Sequence, residues 1–248
     1  MFDDDLLTEI RENWMTKKSP LSVSYTLKEP EVRDPSMGQA RAIMDIFENK
    51  TNGFFIECGA YDGETRSNTL VLERFLGWTG LLIEADPINF TKMLGKNRKA
   101  HMSPTCLGIK PYPMNVSFLM AQNVGRIHAP DNSDETVTEE SQKYGRDVAH
   151  SGKHVTVQCF PLASYIAALD AKTVDYFSLD VEGSEMEVLQ TIPFDRVDIK
   201  TLSVEYIHNK RDRGYMIDFM AKKGYYVYSF VEHRDNLAND VIFVKKGS

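Results

Sequence analysis

Short apolar runs alternate along the chain with segments in which apolar residues recur at helical spacing. The run at 174–181, VDYFSLDV, has the length of a strand and is apolar enough for a buried position in a sheet. In 39–47, by contrast, Ala40, Ile43 and Phe47 fall on one face of a helix. This alternation predicts an α/β fold with a mostly parallel sheet. The predicted strands are 54–56, 81–85, one within 101–107, 112–121, 155–160, 174–181, 201–207, 225–231 and 240–244, and the predicted helices are 39–47, 68–76, 87–94, 161–169, 185–191 and 215–223.

The same pattern indicates how the chain is organised. At 248 residues it is long enough for one large α/β domain. We expect an N-terminal arm and helix in 1–50 and the main domain in 51–248. A polar segment at about 122–153 has no clear periodicity, which predicts a lid or a disordered loop inserted between two antiparallel strands.

Composition and charge exclude some partners. The chain is 42% hydrophobic and 26% charged, as ordinary globular proteins are, and its formal net charge is −7. This acidic balance argues against nucleic acid or an anionic membrane as the main partner, although it suits a small cationic ligand. No run reaches the roughly 18 apolar residues of a membrane-spanning helix. The first residues also lack the basic and apolar regions of a signal peptide, so we expect a cytoplasmic protein. The alternative is the lumen of the secretory pathway, if a leader or anchor has been removed.

Two further patterns depend on the compartment. Cys58, Cys106 and Cys159 are odd in number, widely spaced and each in or beside an apolar run. This predicts three buried free thiols rather than a disulfide framework or a metal site. Three triplets fit the N-glycosylation pattern and matter only if the chain enters the secretory route: Asn49-Lys50-Thr51, Asn89-Phe90-Thr91 and Asn115-Val116-Ser117.

The candidate site is organised around the stretch GFFIECGAYDG at 53–63. A buried strand, a glycine turn and a helix follow one another here, as in the first unit of a nucleotide-binding sheet. Gly59 and Gly63 would let a ligand approach the backbone where a Cβ would collide. The next apolar run ends in Glu84, near the ~20-residue separation at which an acidic group binds a ribose in this architecture.

The turn favours S-adenosylmethionine over a dinucleotide. A pyrophosphate requires the pattern G-x-G-x-x-G, but Ala60 stands where the second glycine belongs. Asp62 would also repel the phosphates, whereas a sulfonium and an ammonium group prefer acidic neighbours such as Glu57 and Asp62. An NAD-dependent oxidoreductase is therefore a weaker alternative, and so is a structural glycine turn without a cofactor.

Two long motifs carry a family resemblance: FFIECGAYDGETRSNTLVLERFLGWTGLLIEADP and VDYFSLDVEGSEMEVL. Over about residues 50–245 the chain resembles the FkbM family of S-adenosylmethionine-dependent methyltransferases, and the first motif is similar to the animal branch that includes Star. The resemblance implies a class I methyltransferase (Rossmann-like) fold, with a seven-stranded, mostly parallel sheet, an antiparallel last strand and helices on both faces. It also implies O-methylation of a small-molecule or carbohydrate hydroxyl. Because Star resembles the enzymes but acts in trafficking, the alternative is a non-catalytic protein that acts through partner binding.

The resemblance also implies which residues bind the cofactor. The residues matched to the family's cofactor turn are Glu57, Gly59, Ala60, Tyr61, Asp62 and Gly63. The acidic residue that holds the ribose hydroxyls is matched by Glu84, with Ala85 beside it. A carboxylate can accept two hydroxyl hydrogens, and such charge-assisted bonds are strong. Ser67 and Asn68 follow the turn, where they either contact the methionine end of the cofactor or cap the helix.

The catalytic candidates follow two parallel strands, since ligands of open α/β sheets bind outside the carboxyl ends of the strands. Asp180 is our preferred general base or acceptor of the substrate hydroxyl, with Glu182 either orienting it or binding the turn. Glu205 and His208 come at the end of the next strand. All four residues also suit a divalent metal such as Mg²⁺, since its ligands are oxygen-rich and tolerate one imidazole.

Simpler structural roles compete with these assignments. The segment 182–187 fits a capped helix start in which Ser184 bonds the Glu187 amide. Glu205 fits a pair with a lysine, and His208 fits an ordinary loop histidine. The sequence names neither the methyl acceptor nor the oligomeric state.

Overall fold

The computed structural model describes residues 1–121, 124–128, 153–208, 212–234 and 237–247. Its helices are α1 (Asp4–Asn13), α2 (Gln39–Ile46), α3 (Leu70–Leu76), α4 (Pro87–Leu94), α5 (Leu162–Ala168), α6 (Glu185–Thr191) and α7 (Arg213–Lys222). Its strands are β1 (Phe54–Cys58), β2 (Thr79–Ile83), β3 (His101–Ser103), β4 (Cys106–Leu107), β5 (Met114–Leu119), β6 (Arg126–His128), β7 (His154–Phe160), β8 (Val174–Leu179), β9 (Ile199–Glu205), β10 (Tyr225–Glu232) and β11 (Asn239–Lys245). The predicted helices and strands are confirmed, except that the strand expected within 101–107 is two short strands.

Seven strands form the main sheet, in the order β10-β11-β9-β8-β1-β2-β3. β1 pairs in parallel with β2 and β8, and β8 pairs in parallel with β9, whereas β11 runs antiparallel to both of its neighbours. The class I methyltransferase fold is therefore confirmed. β8 is buried along its whole length, which is why its sequence is a nearly continuous apolar run. The carboxyl ends of β1, β2, β8 and β9 lie at one edge of the sheet.

Helices cover both faces of this sheet. On one face α1, α5, α6 and α7 pack apolar side chains, among them Ile10 and Met220, into one core. On the other face α2, α3 and α4 contribute residues such as Ile43 and Met93 to a second core. Residues 1–50, which the sequence separates from the main domain, therefore contribute to both cores through α1 and α2.

The chain between α1 and α2 follows the edge strand β3. The N–H of Thr16 donates to the carbonyl of Met102 at 2.9 Å. Further along, Glu64 in the loop after β1 accepts the N–H groups of Lys28 and Glu29 at 2.9 and 2.7 Å. This segment therefore covers the edge of the sheet and is attached to the loop that precedes α3.

A second, four-stranded sheet has the order β4-β7-β5-β6. Its parallel pairing of β4 with β7 places Cys106 opposite Cys159, and the two residues form a disulfide. The prediction of three free thiols is therefore wrong for these two cysteines, whereas Cys58 is free and buried. The two cysteines are 53 residues apart in sequence, and only the register of two strands brings them together.

The insertion predicted at about 122–153 is described only in part. Residues 124–128 contain β6, which pairs antiparallel with β5 and which the sequence pattern did not reveal. The segments 122–123 and 129–152 lie outside the described residues, and so does the prediction of a lid or loop there. Among the described helices none is long and apolar enough to cross a bilayer.

Candidate active site

A cleft opens at the carboxyl ends of β1, β2 and β8. Its empty space amounts to about 600 Å³, which includes space open to solvent. The predicted site residues that line it are Gly59, Tyr61, Glu84, Ala85, Asp180 and Glu182. The predicted site residues that lie outside its lining are Glu57, Ala60, Asp62, Gly63, Ser67, Asn68, Glu205 and His208.

Protein packing accounts for both glycines of the turn after β1. Gly59 has a φ of +81°, and a Cβ built on it would overlap the carbonyl oxygen of Asp180. Gly63 has a φ of +75°, and its Cβ would press against the side chain of Met93. The backbone conformation and the neighbouring protein atoms therefore require glycine at both positions, whether or not a ligand approaches the turn. The close contact at Gly59 also holds the end of β8 against the turn after β1.

Glu57 holds the start of α3 against β1. Its carboxylate accepts the Ser67 hydroxyl at 2.9 Å, the Asn68 N–H at 2.8 Å and the Thr69 hydroxyl. The side-chain amide of Asn68 in turn donates to the hydroxyl of Ser178 at 2.9 Å. These residues are buried away from the cleft, so their observed contacts are structural and differ from the predicted contacts with a cofactor.

Asp62 also bonds within its own loop. Its Oδ1 accepts the N–H of Glu64 at 3.0 Å and the N–H of Thr65 at 2.7 Å. The acidic surroundings expected for a sulfonium are present in the cleft, but they come from the residues after β2 and β8 rather than from Glu57 and Asp62.

Glu84 follows β2 and lines the cleft. Its Oε2 accepts the N–H of Tyr61 at 2.7 Å, and its Oε1 accepts the N–H of Asp86 at 2.8 Å. Burial raises the pKa of Glu84 to about 8, although these two hydrogen bonds oppose the shift. Each carboxylate oxygen has a second lone pair, so the side chain can also accept two hydroxyl hydrogens from a ligand.

The four predicted catalytic residues converge at the ends of β8 and β9. Nδ1 of His208 lies 2.8 Å from Oε2 of Glu182 and 3.0 Å from Oε1 of Glu205. One carboxylate oxygen each of Asp180, Glu185 and Glu205 lie within 4.8 Å of one another. Glu205 therefore joins His208 and Asp180 in one cluster, and its partner is a histidine where the sequence also allowed a lysine.

Glu185 closes the turn between β8 and α6. Its Oε1 accepts the N–H of Val181 at 2.8 Å and the N–H of Gly183 at 3.1 Å. The side chain of Ser184 makes no capping hydrogen bond, so the cap suggested by the sequence at 182–187 is not formed. Gly183 has a φ of +107°, and a Cβ there would lie 2.8 Å from the carbonyl oxygen of His208. The loop after β8 is thus packed against the loop after β9.

Carboxylates dominate the electrostatics of the cluster. Burial, followed by the charges of Glu205 and Glu182, raises the pKa of Asp180 well above its usual range. Burial likewise raises the pKa of Glu205 to about 8. Burial opposes the charged form of His208, but hydrogen bonds with Glu182 and Glu205 outweigh it and raise the pKa of His208 to about 11. Among the described residues of the cluster a single imidazolium faces several acidic groups, so the cluster attracts further positive charge or protons.

Asp180 combines burial with a missing contact. Its Oδ1 is buried and has no hydrogen-bond partner within the described residues. Leaving a buried acceptor unpaired costs about 1–3 kcal/mol, and more if the group is charged. Because Asp180 also lines the cleft, a hydroxyl donor or a cation bound there would pair with this oxygen.

One wall of the cleft was not predicted. Its residues come from the chain after β3 and from the second sheet: Thr105, Cys106, Leu107, Phe118 and Ile127. The rule that ligands bind at the carboxyl ends of parallel strands could have indicated 105–107. The contribution of β5 and β6 depends on how the second sheet is placed, for which the sequence holds no local signal.

Comparison with known proteins identifies one family. The family model described as the Methyltransferase FkbM domain matches residues 57–227. A search of curated proteins finds no match.

Solved structures of methyltransferases are similar to this chain at low sequence identity. The METTL16 methyltransferase domain is 12% identical, with a TM-score of 0.47 over 97% of this chain and 77% of that chain. The human methyltransferase 10 domain containing protein is also 12% identical, with a TM-score of 0.46 over 99% of this chain and 98% of that chain. TrmK from M. capricolum, solved with S-adenosyl-homocysteine, is 10% identical, with a TM-score of 0.40 over 82% of this chain and 67% of that chain. At such identities the likeness concerns the fold alone.

Proposed function

The chain belongs to the FkbM methyltransferase family, and from this premise we propose that it transfers a methyl group from S-adenosylmethionine to a hydroxyl of a small molecule or carbohydrate. The observation that carries the choice of a hydroxyl is the buried, unpaired Oδ1 of Asp180 in the cleft. The cofactor, when bound, supplies a methyl group on a positively charged sulfur that is ready to leave. The protein then has to align the acceptor oxygen and remove its proton.

The residues of the cleft fit this cofactor. Glu84 has lone pairs for the ribose hydroxyls, and the exposed backbone of Gly59 leaves room for the methionine part. The apolar side chains of Leu107 and Phe118 suit an adenine ring. Glu182, which also lines the cleft, offsets the charge of a sulfonium.

We assign Asp180 as the general base. In its ionised form its Oδ1 accepts the proton of the acceptor hydroxyl while the new carbon–oxygen bond forms. Glu205 lies close to Asp180 and favours proton uptake by it. His208 contacts both Glu182 and Glu205, so we assign these three as positioning residues, which keep the acidic groups near Asp180 in place.

The charge of the site supports a neutral or cationic acceptor. A phosphodiester brought to the cluster would meet, in the part of it that the structure describes, several carboxylates and a single imidazolium, and these groups would repel it at short range. Nucleic acids bind through basic surfaces, whereas this chain has a net charge of −7. We therefore propose a hydroxyl on a small molecule or sugar as the acceptor.

Replacing Glu84 by Ala is expected to weaken the binding of S-adenosylmethionine by about 10- to 100-fold, because the hydrogen bonds between its carboxyl group and the ribose are lost. Isothermal titration calorimetry measures this affinity. Glu12→Ala, which removes an exposed carboxylate of α1, is the matched control and should bind normally. An unchanged affinity in a folded Glu84→Ala protein would contradict the assignment of the ribose site.

The same calorimetry separates the enzyme from the Star-like alternative. A non-catalytic protein that acts through partner binding has no need of the cofactor, so the folded wild-type chain would show no heat of binding. Detectable binding of S-adenosylmethionine, together with methyl transfer to a hydroxyl substrate, supports the enzyme.

We also propose that the cluster binds a divalent cation such as Mg²⁺ or Mn²⁺. Glu182, Glu205 and His208 each offer one ligand atom within 4.8 Å of one another, and the ion would replace the proton on Nδ1 of His208. The contacts of 2.8 and 3.0 Å from His208 are close to the separation of adjacent ligands in an octahedron with bonds of about 2.0–2.1 Å. Such an ion would stabilise the alkoxide that develops on the acceptor.

Wild-type protein is therefore expected to bind one Mn²⁺, and Glu205→Gln is expected to weaken this binding by about tenfold or more. The loss of free Mn²⁺ signal in electron paramagnetic resonance measures it without reference to turnover. Glu232→Gln, which removes an exposed carboxylate paired with Arg213, is the control and should bind as the wild type does. If wild-type protein leaves the Mn²⁺ signal unchanged, the metal is absent from the mechanism and Asp180 acts alone.

A further inference from the structure

The disulfide between Cys106 and Cys159 indicates in which kind of cellular compartment the chain folds. Disulfides form and persist in the secretory pathway and outside the cell, and are rare in the cytosol because cytosolic reductants keep thiols reduced. This one joins β4 to β7, so it lies within the second sheet, and Cys106 itself lines the cleft. The bond is thus part of the folded structure, which favours an oxidising compartment.

In such a compartment the three N-glycosylation triplets become relevant, and the structure distinguishes among them. Asn49 and Asn115 are exposed to solvent. Asn89, by contrast, is only 1% exposed, and its N–H donates to the cap residue Asp86 in the first turn of α4. A glycan attached to Asn89 during synthesis would prevent α4 from packing, so folded molecules can carry none there.

The two exposed asparagines also lie away from the cleft. Asn49 follows α2 and precedes β1, so it is near the amino ends of the parallel strands, whereas the cleft is at their carboxyl ends. Asn115 is on β5, where side chains alternate: Val116 and Phe118 are buried, and Phe118 lines the cleft. Asn115 therefore projects from the opposite face of the second sheet, and glycans at both positions would leave the cleft accessible.

We propose that the chain matures in the secretory pathway and carries N-linked glycans on Asn49 and Asn115 but not on Asn89. In each modification the side-chain amide nitrogen forms a bond to C1 of a sugar and loses a proton. The bond from that C1 to the diphosphate of a lipid-linked oligosaccharide breaks, and the lipid diphosphate leaves. The thiols of Cys106 and Cys159 give up two electrons and two protons to the disulfide of an oxidant in the same compartment, and that disulfide leaves as a dithiol.

The test uses the protein isolated from its own cells, with free thiols alkylated at lysis. Treatment with peptide N-glycosidase should increase its electrophoretic mobility and leave Asp at 49 and 115, which mass spectrometry of peptides locates. The alkylating reagent should label Cys58 after denaturation but not Cys106 or Cys159 until a reductant is added.

Three variants expressed in the same cells localise the glycans without changing an asparagine. Thr51→Ala and Ser117→Ala should each remove one step of the mobility shift, and the matched control Thr91→Ala should leave the shift unchanged. An unshifted wild-type protein would overturn the proposal, whether or not the disulfide is present. So would a glycan on Asn89, or alkylation of Cys106 and Cys159 without reduction. These outcomes are independent of methyl transfer.

Discussion

Asp180→Asn is expected to lower the rate of methyl transfer by about 10²–10⁴-fold and to leave the affinity for S-adenosylmethionine nearly unchanged. Asparagine has almost the same size as aspartate and keeps the packing against Gly59, but its amide cannot take the proton of a hydroxyl. The loss should therefore fall on kcat rather than on the cofactor's Kd. Single-turnover assays measure the rate, and calorimetry measures the affinity.

The pH dependence of the wild-type enzyme follows from the same assignment. Burial and the neighbouring carboxylates raise the pKa of Asp180, so at low pH the residue holds a proton and cannot act as a base. The ionised fraction grows as the pH rises through this raised pKa, and kcat is expected to rise with it. If kcat of the wild type rises with pH and this rise is absent in Asp180→Asn, the rising limb is assigned to the ionisation of Asp180.

Two results would contradict the role of Asp180 as base. One is a turnover that survives in Asp180→Asn, and the other is a loss of cofactor affinity as large as the loss of rate, which would make Asp180 a binding residue. Asp45→Asn is the matched control, because it makes the same chemical change on the exposed side of α2. Its rate and affinity should both equal those of the wild type.

The main sheet could be predicted because the signal for each central strand is local. β8 is buried on both faces, so its sequence is an apolar run, and helices with one apolar face follow such runs. The order of the strands was then implied by the family motifs at 54–87 and 174–189. In the second sheet only β5 and β7 had such a signal, because β4 has two residues and β6 has three.

The site could be predicted as a location but not as a set of contacts. Glu84 and Asp180 follow parallel strands, and the rule for carboxyl ends places both at the cleft. Glu57 follows the predicted strand 54–56 but lies within β1 in the structure, and its carboxylate turns to the hydroxyls of Ser67 and Thr69 because these lie at the start of the next helix. Whether an acid faces a cleft or a helix start depends on the path of the following turn, which spacing does not reveal.

The second large effect concerns stability, and it rests on a buried ion pair that the sequence did not indicate. Nε of Arg98 lies 3.1 Å from Oε1 of Glu73, and both side chains are 0% exposed. Arg98 also donates to the carbonyl of Gly63 and to the hydroxyl of Thr69. The guanidinium therefore connects the glycine turn, the start of α3 and the segment before β3.

Arg98→Met is expected to lower the free energy of unfolding by about 3–5 kcal/mol, because it leaves the carboxylate of Glu73 buried without a compensating charge. Urea denaturation at neutral pH measures this change.

The double variant Arg98→Met/Glu73→Gln removes both charges. Its glutamine keeps a side-chain oxygen that can still accept the N–H of Lys99, which Glu73 accepts at 2.6 Å. It should therefore be more stable than Arg98→Met alone, since the unpaired charge is the main cost. If Arg98→Met lowers the free energy of unfolding by only about 1 kcal/mol, as the loss of an exposed ion pair does, the buried pair contributes little to stability. A double variant no more stable than the single one would assign the cost to the lost bonds with Gly63 and Thr69.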